Sequence, residues 1–333
     1  MSDPTRPFAY TPCSEDSEQG WKAISYRELA TAIDHFAYWL RARAERPSLS
    51  DYPTLAYIGP SDIRYIIVMF GCIKAGWKAF FPSPRNSLEG QLSLLEKTNC
   101  HVFYFADAYR SVVEPLLPYR QMEAVEAPDV STWLSSNSAP FPYDRTLEQS
   151  RWDPLVVLHT SGSTGIPKPI IVHQGSIMVG DALMDSPELN GAPTFWKHLV
   201  TNTSRLFVPM PLFHAAGIAC TLLVAVYGGV PVVFSIPGRP LNADSVAQCL
   251  HGSSADAAIL PPSIIEDMAL SAEGIEALAR LKIVLFGGGE YASGTSTVCW
   301  LMQCSPPGNL ARASGDLLVS RGVLLSNVIS STE

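Results

Sequence analysis

The chain reads as an α/β protein made of two packed α/β subdomains with mostly parallel sheets. Three observations predict this. Short apolar runs alternate with stretches whose apolar residues recur at helical spacing, from about residue 21 onward. Strands joined by crossover helices produce that alternation, and such sheets are parallel and covered on both faces. The length of 333 residues allows one large or two ordinary domains with cores of their own. A composition of 47% hydrophobic against 16% charged residues is globular rather than disordered.

The elements follow in order. Residues 1–20 form a polar, proline-bearing N-terminal segment unlike a secretory signal. Ser25-Tyr26-Arg27-Glu28 is a capping box, in which the serine hydroxyl and the glutamate each take one orphan N–H at a helix start. Leu29, Ile33, Phe36, Ala37 and Leu40 continue it at helical spacing. A strand over 54–58 meets Gly59-Pro60, and a second helix carries Ile63, Ile66, Ile67, Phe70 and Ile73. Gly76 can end that helix in a left-handed turn. A strand over 78–81, a helix after Ser87 with Leu92 and Leu95, and a strand over 101–105 come next. Residues 129–150, rich in Ser, Pro and Asn, read as a surface connection between subdomains of about 21–150 and 151–333. Beyond it, strands are expected over 205–208, 230–234, 257–260 and 282–286, with helices between them. Residues 215–238 carry no charge and are long enough for the ~20 residues of a membrane span. Gly228-Gly229 and Pro231 break that stretch into a helical half and a strand half, so it reads as a buried helix–turn–strand.

Charge and cysteine usage narrow the function classes. A net charge of −8 argues against nonspecific binding to nucleic acid or an anionic membrane. The seven cysteines, at 13, 72, 100, 220, 249, 299 and 304, include no Cys-x-x-Cys pair. They fit a reducing, cytoplasmic location better than a disulfide framework or a zinc site. The seven histidines likewise form no close ligand pair.

The stretch richest in chemistry is Val157-Leu158-His159-Thr160-Ser161-Gly162-Ser163-Thr164-Gly165-Ile166-Pro167-Lys168-Pro169. Gly162 and Gly165 let the backbone bend until several N–H groups converge on one anion. Thr160, Ser161, Ser163 and Thr164 add short donors, and Lys168 adds a charge-assisted one. The order is not the Walker pattern, because Gly165 and Lys168 are separated by Ile166 and Pro167. On residue types alone the run is either a phosphate-binding loop or a polar surface loop.

Nine consecutive positions, 160–168, closely resemble the phosphate loop of the adenylate-forming, AMP-binding superfamily. That superfamily includes acyl-CoA synthetases, luciferases and the adenylation domains of nonribosomal peptide synthetases. Other stretches resemble its motifs in the right order: 21–29 (WKAISYREL), Ile73-Lys74-Ala75-Gly76, and Ser83-Pro84-Arg85-Asn86-Ser87. The last is most similar to fungal α-aminoadipate-reductase-like and aryl-acid-reductase-like enzymes. Pro209-Met210-Pro211-Leu212-Phe213-His214 resembles the segment that lines the acyl pocket next to the α-phosphate, although taken alone it reads as a strand end with two prolines and a histidine capping the following helix. Ile259-Leu260-Pro261-Pro262-Ser263-Ile264-Ile265-Glu266 resembles the pocket-wall helix of the same fungal branch, although a proline-initiated helix alone would look the same. Phe286-Gly287-Gly288-Gly289 resembles the adenine-binding turn; a flexible strand-to-loop turn would read identically. Residues 327–333 resemble an Asn-x-Tyr-Gly-x-Thr-Glu motif, with Ile329 where an aromatic stacks on adenine and Ser330 where glycine is usual.

The resemblance implies the N-terminal core of an adenylate-forming enzyme, lacking the mobile C-terminal domain. Implied roles fall residue by residue. Thr160 to Lys168 would hold phosphates, Gly287, Gly288, Gly289, Asn327, Ile329 and Ser330 the adenine side, and Phe213, His214, Pro262 and Ser263 the acid. Thr332 would contact phosphate and Glu333 the Mg2+ ion, which with His214 completes the implied catalytic set. Amino-acid-activating relatives carry aspartate where His214 stands, and a neutral imidazole cannot replace that anion beside a substrate ammonium. The implied reaction joins a small carboxylic acid without an α-amino group to AMP, using ATP and Mg2+, in secondary metabolism. Phosphopantetheine and NADPH would serve only domains downstream, and a carrier-protein domain could act in trans. The lysine that bridges carboxylate and α-phosphate in the family would lie beyond Glu333, so adenylation by this chain alone is expected to be weak. Residues 290–309 depart from the family and read as an atypical insert, either mis-spliced or a surface loop. Two alternatives stand beside this reading: a stand-alone acyl-CoA ligase, and a catalytically inactive remnant that binds nucleotide or a partner chain.

Overall fold

The computed structural model describes residues 3–14, 19–43, 52–160, 166–188, 191, 193–287 and 310–327. Their strands are β1 (Pro7–Pro12), β2 (Trp21–Ser25), β3 (Thr54–Ile58), β4 (Lys78–Phe80), β5 (Cys100–Ala106), β6 (Glu123–Ala127) and β7 (Pro154–Thr160). After these come β8 (Lys168–His173), β9 (Leu206–Phe207), β10 (Val232–Val233), β11 (Ala257–Leu260), β12 (Ile283–Phe286) and β13 (Leu325–Asn327). They make a seven-stranded sheet, β13-β12-β11-β9-β10-β1-β2, and a six-stranded sheet, β6-β5-β3-β4-β7-β8. Pairing is parallel throughout except for β1 with β2 and β7 with β8. The chain is thus a mixed α/β protein with two mostly parallel sheets, as the alternation of elements predicts.

The local signals act as the sequence suggests. The Glu28 amide donates to Ser25 Oγ at 3.2 Å, and the Ser25 amide donates to Glu28 Oε2 at 2.7 Å. That closed box starts the helix Tyr26–Arg41, which buries Leu29, Phe36, Ala37 and Leu40. The helix Arg64–Ala75 stops at Gly76, whose φ of 78° is left-handed. Ser87 caps the helix Leu88–Lys97 by accepting from the Gly90 amide at 3.1 Å. In the uncharged stretch 215–238 a helix, Ala215–Thr221, runs into a π-helical turn, Leu222–Tyr227, and Gly229 at φ 68° swings the chain into β10. No helix of the described residues is long and apolar enough to cross a membrane.

β1 lies in the segment that reads only as polar. Phe8 and Ala9 nevertheless go fully into the core, 1% and 0% exposed. They do so by pairing β1 in parallel with β10, more than two hundred residues along the chain. β1 and β2 therefore complete a sheet whose other strands follow residue 205, while β7 and β8 complete the sheet built from residues 54–127. One core cluster joins Leu55, Tyr57 and Leu158 of the six-stranded sheet to Val232 and Ile259 of the seven-stranded one. Burying each such side chain stabilises the pair of sheets by about 1.5–3 kcal/mol, so they form one packed unit.

Candidate active site

Parallel strands carry their carboxyl ends to one edge, and ligands of open α/β sheets bind there. In the seven-stranded sheet the parallel set β9, β11, β12 and β13 delivers four segments to that edge. After β9 come 208–214, ending in Phe213 and His214; after β11 comes the helix Pro262–Met268, which opens on Pro262 and Ser263. Gly287 follows β12, and Asn327 ends β13 directly beside Phe286. Pro262 occupies the first turn of its helix, where a missing N–H costs nothing.

In the six-stranded sheet β7 runs parallel to β4, so their carboxyl ends place His159 and Thr160 beside the turn 83–87. β8 then returns antiparallel, with Thr160 in register with Lys168 and His159 with Pro169. The two ends of the glycine- and hydroxyl-rich loop are therefore held as neighbours. Lys168 is exposed and has no ion-pair partner among the described residues. A hairpin mouth bearing a hydroxyl and an uncommitted ammonium suits a polyanion. Ser161, Gly162, Ser163, Thr164, Gly165, Gly288, Gly289, Ile329, Ser330, Thr332 and Glu333 lie outside the described residues, as does the atypical 290–309 stretch. The described residues contain no group of three metal-ligating side chains.

The two edges meet. The Leu212 amide donates to Ser61 Oγ at 3.3 Å, tying the 208–214 segment to the loop after β3. His214 stands at the start of the helix Ala215–Thr221, its ring centroid 5.7 Å from that of Phe213, and its own amide donates to the Pro211 carbonyl at 3.0 Å. His159 accepts at Nε2 from the Ser83 amide at 2.9 Å and lies 3.3 Å from Asn86 Nδ2. Its Nδ1 is buried without a partner of good geometry among the described residues. His159, like Arg85 and Ser83, is a residue to which the sequence reading gives no role. Its only mark in the sequence is its place immediately ahead of Thr160.

Both site histidines sit below the ordinary imidazole range. Partial burial lowers His159, with the charge on His214 adding to the effect. Partial burial also lowers His214, assisted by the Arg85 guanidinium. A group with a depressed pKa takes up its proton later in the folded than in the unfolded chain. The unfolded chain therefore gains protons first as pH falls below about 6.5, and stability drops. Melting temperature is expected to hold from pH 8 to about 6.5 and then fall towards pH 5, with a smaller fall in the double variant His159→Gln/His214→Gln. A melting profile flat over that range, or equally steep in the double variant, contradicts this.

Comparison with known proteins agrees with the geometry. The family model of AMP-binding enzymes matches residues 4–307. A carboxylic acid reductase from Neurospora crassa is 38% identical over the full length of this chain, which spans 30% of that protein. An isocyanide synthase–NRPS hybrid from Aspergillus fumigatus is 32% identical over 85% of this chain and 18% of its own. Among solved structures, the N-terminal domain of FACL13 from Mycobacterium tuberculosis superposes with a TM-score of 0.70 at 17% identity. That likeness covers 93% of this chain and 69% of the other, and it concerns the fold. The chain belongs to the AMP-binding enzyme family and matches, over its whole length, less than a third of a fungal carboxylic acid reductase.

Proposed function

We propose that this chain activates a small carboxylic acid without an α-amino group as its acyl-adenylate, using Mg-ATP. The observation that carries the reading is that the carboxyl edges of the two sheets meet, the 208–214 segment tied to the loop after β3, with Thr160 and Lys168 facing each other in register on the six-stranded sheet. An acid carboxylate oxygen would attack the α-phosphorus, and the bond to the bridging oxygen would break, releasing pyrophosphate. Charge accumulates on phosphate oxygens in that step, so donors fixed around them lower the barrier most. Thr160, Ser161, Ser163, Thr164 and Lys168 would grip the β- and γ-phosphates, with Gly162 and Gly165 allowing the backbone to close in. Gly287, Gly288, Gly289, Asn327, Ile329 and Ser330 would border adenine, and Thr332 would reach phosphate. Glu333 would hold Mg2+, which supplies charge neutralisation at the triphosphate. Phe213, Pro262 and Ser263 would wall the acid site. His214, neutral at pH 7, offers no anion to a substrate ammonium, and this supports an aryl, keto or fatty acid. By analogy with the reductase, transfer to a phosphopantetheine thiol and reduction with NADPH would belong to other parts of a longer assembly, reached through a carrier domain.

Calorimetry with Mg-ATP tests the reading, and Lys168→Ala is its sharpest variant. Loss of one charge-assisted hydrogen bond, about 1.5–3 kcal/mol, should weaken binding roughly ten- to hundredfold. Pyrophosphate exchange, measured in the longer assembly that supplies the bridging lysine, should respond to aryl or keto acids and not to amino acids. A folded chain that ignores Mg-ATP would overturn the proposal.

A further inference from the structure

We infer that His159 is a positioning residue: through Nε2 it clamps the 83–87 turn to the strand that enters the candidate phosphate loop. A backbone N–H can only donate, so the 2.9 Å contact with the Ser83 amide fixes Nε2 as acceptor and puts the proton of the neutral ring on Nδ1. Ser83 is 7% exposed and is bonded through every polar atom it has. Its amide goes to His159, its carbonyl accepts from Gln91 Nε2 at 2.8 Å and from the Asn86 amide at 3.2 Å, and its hydroxyl accepts from the Arg85 amide at 3.2 Å. Asn86 lies 3.3 Å from the same His159 nitrogen.

The other end of the loop bears on the same segment. A Cβ placed on Gly90, in the helix Leu88–Lys97, would meet Pro167 Cδ at 3.1 Å, so Pro167 rests against that helix. His159 ahead of the loop and Pro167 behind it therefore both seat on residues 83–91. Pro167 does so by shape and His159 by a hydrogen bond that only a neutral, Nε2-accepting ring can make. The clamp also decides where Arg85 is held, since its amide is bonded within the turn while its side chain stays exposed and close enough to act on His214.

The test separates this clamp from the nucleotide-binding reading, on which only its last arm rests. Two variants are compared with the unaltered chain: His159→Leu, which has no acceptor, and His159→Gln, whose Oε1 reaches about where Nε2 lies. Trypsin cleavage after Arg85 reports the turn directly, and cleavage after Arg312 serves as an internal control for general loosening. Loss of the hydrogen bond should speed cleavage after Arg85 about tenfold in His159→Leu, leave Arg312 unchanged, and leave His159→Gln near the original rate. Nitrogen-15 spectra of the histidines should show Nε2 of His159 unprotonated at pH 7.5. The Kd for Mg-ATP should rise about tenfold in His159→Leu and recover in His159→Gln. Unchanged cleavage after Arg85 in His159→Leu, or a proton found on Nε2, overturns the clamp. If His159→Leu loosens both cleavage sites, failure of His159→Gln to restore Arg85 protection overturns it as well. A clamp that passes these arms in a chain that never binds Mg-ATP stands, and the adenylation reading falls alone.

Discussion

Asp62→Ala is expected to remove about 3–5 kcal/mol of unfolding free energy, because it breaks a buried ion pair and leaves one charge behind. Asp62 and Arg64 are a buried ion pair, with side chains 3% and 9% exposed and an Nη2–Oδ2 distance of 2.6 Å. The carboxylate is used fully: Arg64 Nε lies 3.0 and 3.1 Å from its two oxygens, and the Arg64 amide donates to Oδ1 at 3.0 Å. Burial alone would lower the Arg64 pKa, yet the neighbouring Asp62 outweighs it and the guanidinium is held more firmly charged. Removing the aspartate thus strands a cation that cannot escape by giving up its proton. Chemical denaturation measures the loss. The paired replacement Asp62→Leu/Arg64→Met should recover most of it, because two apolar side chains leave no charge uncompensated. A double variant as unstable as the single one would show that the pair acts by shape and not by charge. The site should feel the change too, since Ser61, which accepts from the Leu212 amide, immediately precedes Asp62.

What could be read from the sequence divides by range. The helix starts at Ser25 and Ser87 and the stop at Gly76 rest on partners within four residues, and each signal appears in the structure as a closed local bond. The buried strands 54–58 and 257–260 announce themselves as apolar runs because parallel strands are covered on both faces. β1 gives no such signal. Its apolar content is short, prolines flank it, and its parallel partner β10 is supplied by a distant part of the chain. The site follows the same rule. Thr160 and Lys168 are recognisable because they share one loop, whereas the contact of His159 with Ser83 spans seventy-six positions and leaves no trace in either neighbourhood. Arg85 is visible as part of a motif, but its electrostatic action on His214 exists only once two sheets have packed.

Gly217→Val is expected to lower unfolding free energy by about 3 kcal/mol and to displace the turn that carries His214. Gly217 lies in the helix Ala215–Thr221, with no left-handed φ to explain it. Its reason is contact: an added Cβ would sit 2.3 Å from the Pro211 carbonyl oxygen, 2.9 Å from its carbon and 3.1 Å from the Met210 carbonyl oxygen. All three are backbone atoms, so no rotamer change relieves the clash and the chain itself must move. The Pro211 carbonyl is also the acceptor for the His214 amide, so displacing it loosens the residue that borders Phe213 and faces Arg85. Gly217→Ala should show the same effect at reduced size, and neither change touches the hairpin that bears Lys168. Stability and Mg-ATP binding should therefore part company: denaturation should report the loss in both variants, while Kd for Mg-ATP stays within about threefold of the original. In the longer assembly, acid-dependent pyrophosphate exchange, which needs the 208–214 segment in place, should fall at least about tenfold in Gly217→Val. Equal losses in nucleotide binding and exchange would mean that the two carboxyl edges move as one body, and that the acid and phosphate regions cannot be perturbed separately.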